Sequence, residues 1–191
     1  MARPVVHNDS LRQDLLAVAA DLVDSNGPAR VTLRDVAAAA GTSTSAVYSL
    51  FGGKSQLLTA VVDNGFSSFR DSQLAASGGL MELGVAYRAW ALEHQALYRL
   101  MFGGALAAYV DCQPSPGAAA DAMQPLKDAV ASAQSAGILV EAPVELVAVA
   151  IWGQVHGLVS LELAQMGRPD ADWAAVYSMA LDAIARGWTA E

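Results

Sequence analysis

The chain has 191 residues, of which 54% are hydrophobic and 16% charged, which excludes a disordered chain and predicts one or two domains. Its single cysteine, Cys112, excludes a disulfide framework and a cysteine-based zinc site, and no cofactor is predicted. The net charge of −8 arises in residues 61–191, which hold six basic and fourteen acidic residues, whereas residues 1–60 hold five of each. Because an acidic chain binds polyanions poorly, contact with nucleic acid is expected only from the first third.

The composition favours an all-α fold of about nine helices without a convincing strand. Alanine, the strongest helix former, supplies 39 residues, and the residues that favour strands are comparatively few. The first predicted helix begins after Asp9 or Ser10 and ends at Asn26–Pro28. The other predicted helices cover residues 33–40, 44–51, 54–76, two helices within 80–104, 118–136, 144–165 and 171–188.

Helix caps and breakers set these boundaries. Thr32 is predicted to cap the second helix, with Asp35 completing a capping box, and Ser43 is predicted to cap the third. Pro125 lies within the seventh predicted helix, where we expect a kink or a late start. Further breaks, most of them rich in Gly, Pro or Ser, are predicted at Gly41, Gly52–Gly53, Ser77–Gly79, His94–Gln95, Cys112–Gly117, Gly137 and Gly167–Asp170.

The functional signal lies in residues 32–58, TLRDVAAAAGTSTSAVYSLFGGKSQLL. They predict a helix, a glycine turn and a second helix, which is the order of a helix-turn-helix. Val36, Val47 and Phe51 can supply the apolar contacts that lock two short helices, and Gly41 can supply the tight turn. Small hydroxyl groups able to bond phosphates or base edges follow on the second helix at Ser43, Thr44, Ser45 and Ser49.

At these positions the sequence resembles the TetR family of transcriptional regulators. The resemblance extends over residues 9–69 and implies a DNA-binding helix-turn-helix domain there. It also implies a helical ligand-binding and dimerisation domain over residues 70–191. The residues that match the family's signature at the expected spacing are Thr32, Val36, Ala37, Ala40, Gly41, Ser43, Val47, Tyr48, Phe51, Lys54 and Leu57.

The resemblance further implies which side chains contact DNA, with the third helix in the major groove. Tyr48 has an alternative as a half-buried core residue, and Lys54 as a solvated lysine at a helix start. Leu50, where relatives are often polar, could contact a thymine methyl or pack within the protein. The implied phosphate contacts are Thr32, Ser43, Tyr48 and Lys54, and the implied base contacts are Arg34, Thr44 and Ser45.

Residues 152–162, WGQVHGLVSLE, resemble the Trp-His-Gly signature of one type of TetR C-terminal domain. Trp152 and His156 are four residues apart and therefore share one helix face. His156 is either a core histidine bonded to a carbonyl or carboxylate, or a ligand contact. Gly153 and Gly157 are expected to let another helix approach closely, since glycine costs roughly 1 kcal/mol within a helix without such packing.

An effector site is expected among aromatic and sulfur-containing side chains of the C-terminal domain, because small-molecule sites are mostly apolar. The predicted ligand contacts are Trp90, His94, Tyr98, Met101, Phe102, Met123, Trp152 and His156, with Met81 nearby.

The last two helices are apolar over much of their circumference, which predicts a homodimer built through them. A two-fold dimer is expected to bind a palindromic operator in double-stranded DNA, with half-sites about 34–36 Å apart or at a related spacing. The window 144–166 is long enough to cross a bilayer, but Glu145 and Glu162 lie within it. We therefore predict a buried helix of a cytoplasmic protein and no membrane partner.

Three function classes follow from these observations. The leading hypothesis is a ligand-responsive, homodimeric DNA-binding repressor. An enzyme is not expected, because the three histidines form no Glu-x-x-His pair and no nucleophile or phosphate-loop motif occurs. The alternative is a helical ligand-binding or interaction module that has lost DNA binding. Convergence of Arg3, Arg12, Arg34 and Lys54 on one face would favour DNA binding. Dispersion of these cations, or their pairing with Asp9, Asp14 and Asp35, would favour this alternative.

Overall fold

The computed structural model describes residues 5–76, 78–103, 114–166 and 170–190, with side chains from Asp9 onward. The predicted break at 112–117 and the predicted turn at 167–170 lie partly outside the described residues. Arg3 lies entirely outside them. The described residues form nine helices, which confirms the all-α prediction. The helices are α1 (Val5–Asn26), α2 (Leu33–Ala39), α3 (Thr44–Phe51), α4 (Lys54–Ala75), α5 (Leu80–Glu93), α6 (Gln95–Phe102), α7 (Ala118–Ser135), α8 (Val144–Leu163) and α9 (Trp173–Trp188).

Helix α1 begins earlier than the sequence predicted. It starts at Val5, and Asp9 and Ser10 are exposed within it rather than capping it. No glycine or proline interrupts residues 5–26, so these polar side chains stay helical and face solvent. Helix α7 starts at Ala118 and continues through Pro125, so the alternative of a late start is wrong. Other helix ends differ from the prediction by one or two residues, as frayed ends do.

The chain divides into two compact units. Residues 1–68 and 94–119 form the first unit, and residues 69–93 and 120–191 form the second. Helix α6 therefore belongs to the first unit, where an ion pair of 2.6 Å between Arg99 and Asp24 joins it to α1. The functional division at residue 69 remains a prediction, because compactness does not report what each part binds.

Apolar faces of the first four helices build the core of the first unit. Leu15 of α1, Val36 of α2 and Val47 of α3 have no solvent exposure. Burying each such side chain stabilises the fold by about 1.5–3 kcal/mol. Helix α2 packs on both α1 and α3, so this core fixes the angle between the two short helices.

The second unit is centred on a cluster of buried residues from α7, α8 and the segment between them, including Val130, Leu139 and Ile151. Helices α5 and α9 approach each other closely at Gly84. A Cβ atom there would lie 2.6 Å from Leu181 Cδ2, and the Tyr177 hydroxyl donates a 2.8 Å hydrogen bond to the Gly84 carbonyl. Glycine is therefore the residue that lets these two helices meet.

Helix α8 has one buried and one exposed apolar face. Its buried residues include Val147, Ile151 and Val155, whereas Leu146 and Val149 on another face are more than half exposed. In the described residues it is also the one helix long and apolar enough, by length and composition alone, to cross a membrane. The prediction of a buried helix is therefore right for one face only.

Candidate functional site

The turn between α2 and α3 has the geometry that a helix-turn-helix needs. Gly41 has a φ of +63°, a left-handed conformation that side chains other than glycine rarely adopt. The Thr42 amide donates a 2.9 Å hydrogen bond back to the Ala37 carbonyl, which closes the end of α2. Helix α3 then starts at Thr44, so only four residues separate the two helices.

Helix α3 presents a polar face to solvent and an apolar face to the protein. Val47 and Phe51 are buried, whereas Ser45 and Ser49 are exposed and Tyr48 is 55% exposed. Tyr48 is therefore not a fully buried residue, although nearly half of its surface is covered, and its contact with phosphate stays a prediction. The face carries hydroxyl groups that can donate to phosphates or base edges.

The two capping residues of this motif, Ser43 and Thr32, differ in whether their hydroxyl group can still donate a hydrogen bond to a ligand. Ser43 Oγ accepts a 3.2 Å hydrogen bond from the Ala46 amide, so its own proton can still be donated. Thr32 forms the predicted capping box, in which its hydroxyl and amide donate to Asp35 Oδ2 at 2.7 and 2.9 Å. These hydrogen bonds from Thr32 lower the pKa of the Asp35 carboxyl below 3.8, so Asp35 is ionised at neutral pH. The Thr32 hydroxyl proton is therefore already donated to a carboxylate.

The cations of the motif are not held in ion pairs, although Arg34 acts electrostatically on its neighbour Asp35. Within the part of the chain that the structure describes, Arg12, Arg34 and Lys54 form no ion pair. The Arg12 guanidinium lies 5.3 Å from the centre of the Phe51 ring, Arg34 is exposed, and Lys54 Nζ donates to the Ala29 carbonyl at 3.4 Å. Their charges therefore remain available to a polyanion.

A cavity of about 430 Å³ lies within the second unit. It is bordered by the end of α4 together with α5, α7, α8 and α9. This volume falls within the range of small-molecule sites, which is roughly 300–1,000 Å³. Its wall is mostly aliphatic and aromatic and includes Phe69, Leu83, Leu126, Ile151, Val155 and Leu181.

Polar side chains join one side of this cavity into a chain of hydrogen bonds. Trp152 Nε1 donates to Tyr87 Oη at 3.3 Å, and Tyr87 Oη lies 3.1 Å from His156 Nδ1. His156 Nε2 lies 3.4 Å from Ser160 Oγ. Burial lowers the pKa of His156, so the neutral ring is favoured. A proton on Nε2 then lets Tyr87 donate to Nδ1 and lets His156 donate to Ser160.

The eight predicted ligand contacts do not meet in one place. Met123 and Trp152 line the cavity, and His156 contacts the lining residue Tyr87. Trp90 belongs to the second unit but is buried edge-to-face against Phe69, with ring centres 5.3 Å apart. The other four, which the structure assigns to the first unit and not to this cavity, are His94, Tyr98, Met101 and Phe102.

Sequence reasoning missed Gln73 and Tyr87, which line the cavity. Gln73 is only 6% exposed and lies seven residues after Phe66 and four after Phe69, on one face of α4. A polar residue on an otherwise apolar helix face was the signal that could have identified it. Tyr87 carried no signal beyond being an aromatic residue of a core helix.

Two family models match the chain. Residues 80–184, more than half of the chain, match the model described as Tetracyclin repressor-like, C-terminal domain. Residues 15–61, which include α2 and α3, match the model described as Bacterial regulatory proteins, tetR family. Neither description names the Trp-His-Gly type, so that narrower resemblance stays a prediction. No curated protein matches the chain in sequence.

Several solved structures resemble the fold over nearly its whole length. A protein of unknown function from Rhodococcus sp. RHA1 is 27% identical, with a TM-score of 0.74 over 94% of this chain and 95% of that one. A TetR family transcription regulator from Marinobacter aquaeolei VT8 is 21% identical, with a TM-score of 0.77 over 97% and 98%. A bacterial regulatory protein of the tetR family from Rhodococcus RHA1 is 19% identical, with a TM-score of 0.73 over 95% and 98%. At these last two identities the likeness shows the fold alone.

Proposed function

This chain belongs to the TetR family of bacterial transcriptional regulators, and we propose that it is a repressor that a small-molecule effector releases from a palindromic operator. The observation that carries the proposal is α3, which exposes Ser45 and Tyr48 while Val47 and Phe51 hold its other face in the core. A recognition helix needs this division, because it must be fixed to the domain and still present polar groups to a groove.

We propose that the caps and the outward side chains of the motif contact phosphates. Ser43 retains a hydroxyl proton, Tyr48 is exposed, and Lys54 is held only by one long hydrogen bond. Thr32 can donate to a phosphate only by giving up its bond to the Asp35 carboxylate. We therefore expect Thr32 to act mainly by capping α2, and the other three to supply more of the phosphate contact.

Arg34, Thr44 and Ser45 are the proposed base contacts. Arg34 is exposed in the first turn of α2, and an arginine can donate two hydrogen bonds to guanine. Thr44 and Ser45 begin α3, and the N-terminal residues of a recognition helix are those that reach base edges. Their hydroxyls can pair with several bases, so we expect modest discrimination at each contacted position.

Regulators of this family are dimeric, and we propose that α8 and α9 form the dimer interface. Exposed apolar side chains recur along both helices, including Leu146 and Val149 on α8 and Val176 and Met179 on α9. Apart from the adjoining residues of α8 itself, no atom of the described chain lies within 4 Å of where a Cβ on Gly153 would be, so that position is open to a second helix. A symmetric contact of this kind presents two α3 helices to one palindrome.

We propose that α4 couples the effector to DNA. It is one continuous helix whose residues up to Ser68 belong to the first unit and whose residues from Phe69 belong to the second. Phe69 and Gln73, near its end, line the cavity. If α4 can take more than one position and the effector binds one of them better, the effector shifts the population towards that position. The spacing of the two α3 helices in the dimer then changes with it.

The family consists of regulators, and we propose that the chain has no catalytic activity and works in the cytoplasm. The competing function is a helical ligand-binding module that has lost DNA binding, which the equal numbers of basic and acidic residues in 1–60 favour. The absence of ion pairs at Arg12, Arg34 and Lys54 within the described residues argues against it, because no salt bridge has to break before these cations approach phosphates.

Fluorescence anisotropy of labelled DNA from upstream of the protein's own gene tests the proposal. We expect binding about 10³-fold or more tighter than to random competitor DNA, weakening as salt rises. Ser45→Ala should reduce operator affinity, while Ser67→Ala, an equally small change at an exposed serine of α4, should leave it unchanged. If DNA fragments that tile the upstream region bind no more tightly than random DNA, the result favours a ligand-binding module that has lost DNA binding.

A further inference from the structure

The wall of the second unit's cavity carries almost no charge. Among its described lining residues, Glu82 is the only one charged at neutral pH, and no Lys, Arg or His is present. Glu82 is exposed, so its carboxylate remains hydrated. Moving an ion from water into such an interior without a partner is strongly unfavourable. The wall therefore disfavours carboxylates, phosphates and ammonium groups alike.

The cations near this cavity in the second unit are held elsewhere. Arg88 donates two hydrogen bonds to the Glu162 carboxylate, at 2.6 and 2.8 Å, and this contact raises the pKa of Arg88. Lys127 pairs with Glu145 at 3.1 Å. Arg186 is exposed near the end of α9 and does not line the cavity. An anionic ligand could obtain a counter-charge from Arg88 or Lys127 only by breaking an existing ion pair, and Arg186 lies outside the wall.

Gln73 is the buried polar side chain of the wall with hydrogen-bonding capacity left. Its amide nitrogen lies 3.5 Å from Ser72 Oγ, at the long limit of a hydrogen bond. By contrast, Tyr87 is engaged with Trp152 and His156. A glutamine amide can donate and accept, so it can pair with a hydroxyl or a carbonyl of a ligand.

We infer that the cavity takes a neutral, mainly apolar molecule that carries a hydroxyl or carbonyl group, and that Gln73 binds this group. The inference rests on the proposed function, because it names the chemical class of the proposed effector. The aliphatic and aromatic wall supplies the affinity, the uncharged interior excludes ions, and Gln73 distinguishes a polar neutral molecule from a plain hydrocarbon.

Equilibrium dialysis at pH 7 of the full chain with four ligands of one shape tests the charge rule. The four are 2-naphthylmethanol, 2-methylnaphthalene, 2-naphthoate and 2-naphthylmethylammonium. We expect the alcohol to bind at least tenfold more tightly than the carboxylate and the ammonium ion. Absence of alcohol binding overturns the inference, as does a carboxylate or an ammonium ion that binds as tightly as the alcohol.

Two variants test the residues. Gln73→Met keeps the length of the side chain and should weaken alcohol binding roughly fivefold while leaving 2-methylnaphthalene binding unchanged. Gln124→Met is the matched control, since Gln124 is exposed on α7 and outside the cavity wall. Ala129→Phe fills the cavity and should abolish binding of all four ligands. Unchanged alcohol binding in Gln73→Met, or full binding in a folded Ala129→Phe, contradicts the assignment.

The dialysis contains no DNA, so its outcome is independent of operator binding. Alcohol binding that leaves operator affinity unchanged contradicts the coupling in the proposed function and not the ligand class. A different outcome is that an anionic molecule releases the operator and that Ala129→Phe prevents this release. The repressor proposal then holds, and the inferred neutral ligand class is wrong.

Discussion

The helix-turn-helix of the first unit and the cavity of the second are built in different ways. The first draws its functional side chains from residues 32–54, where two short helices and one glycine turn set every position. The second draws its wall from five helices spread between Phe69 and Thr189. A surface made from one short stretch can be identified from spacing, whereas a cavity made by distant segments depends on how they pack.

The two regions also differ in how they use polar groups. The α3 face exposes hydroxyls to solvent, where each can exchange water for a phosphate or base. The cavity wall buries Gln73 and Tyr87 among apolar residues, where a polar atom needs a partner in the protein or in a ligand. Changes on the first surface should therefore alter binding more than stability, and changes in either core should alter stability first.

The largest expected effect is on stability: a charge on the buried face of α3 should destabilise the protein far more than the same charge on its exposed face. Val47→Asp buries an unpaired carboxylate where the side chain has no exposure and should cost about 3–5 kcal/mol of unfolding free energy. Ser45→Asp places the same charge on the exposed face and should change stability by less than about 0.5 kcal/mol. Urea unfolding of both variants measures this difference.

Operator anisotropy on the same pair separates folding from recognition. Ser45→Asp should keep the fold and still bind DNA at least tenfold more weakly, because its carboxylate faces phosphates or base edges. If Ser45→Asp binds the operator like the wild type, α3 does not enter the groove by this face.

A smaller effect is expected from the exposed face of the last helix. Met179 is 71% exposed, and Met179→Glu should raise the dimer dissociation constant at least tenfold if α9 forms the dimer interface. Operator affinity should fall with it, because a monomer presents only one α3. Leu74→Glu is the control, since Leu74 is 64% exposed on α4, outside the proposed interface. Sedimentation velocity measures dimer dissociation in both variants. An unaltered dimer in Met179→Glu would place the interface elsewhere.

The caps and the turn of the first region were predicted from the sequence because their determinants are local. The Thr32–Asp35 capping box, the Ser43 cap and the left-handed Gly41 each follow from residues at most four apart. Tyr48 had two interpretations, a phosphate contact implied by the resemblance and a half-buried core residue, and the structure leaves it 55% exposed beside the buried Val47 and Phe51. These side-chain positions depend on helix geometry and on little else.

The second region was predicted only in outline. The sequence identified aromatic and methionine residues, but periodicity cannot say whether a side chain fills a core or borders a space. Tyr98 and Phe102 therefore became candidate ligand contacts, although both belong to the first unit. Gln73 was missed because its burial arises from the packing of helices far apart in the chain.

The two caps of the helix-turn-helix give a test of intermediate size. Thr32→Ala and Ser43→Ala each remove a capping oxygen and should each cost about 1 kcal/mol of unfolding free energy. Operator affinity should fall more in Ser43→Ala, because only Ser43 has a hydroxyl proton free for a phosphate. Unfolding and anisotropy on both variants provide the comparison, and a larger affinity loss in Thr32→Ala would show that DNA displaces the Asp35 bond.

The smallest effect is a pH dependence that belongs to the second region. Burial lowers the pKa of His156 below its usual 6.5, so an unfolded chain binds this proton more readily than the folded one. Stability should be fully present above about pH 6.5 and fall as the pH drops from there towards the folded pKa. The Asp35 carboxyl has a pKa lowered from 3.8, so its contribution persists over this range and is lost only below it.

Tryptophan fluorescence isolates this dependence, because all four tryptophans lie in the second unit. We expect the wild type to lose stability in urea between pH 7 and pH 5, and His156→Gln to lose less, since glutamine has no proton to gain. The groups bonded to His156, Tyr87 and Ser160, are uncharged in this range, so they do not offset the change. Parallel pH profiles for the two proteins would mean that the histidine takes up its proton within the fold as easily as in the unfolded chain.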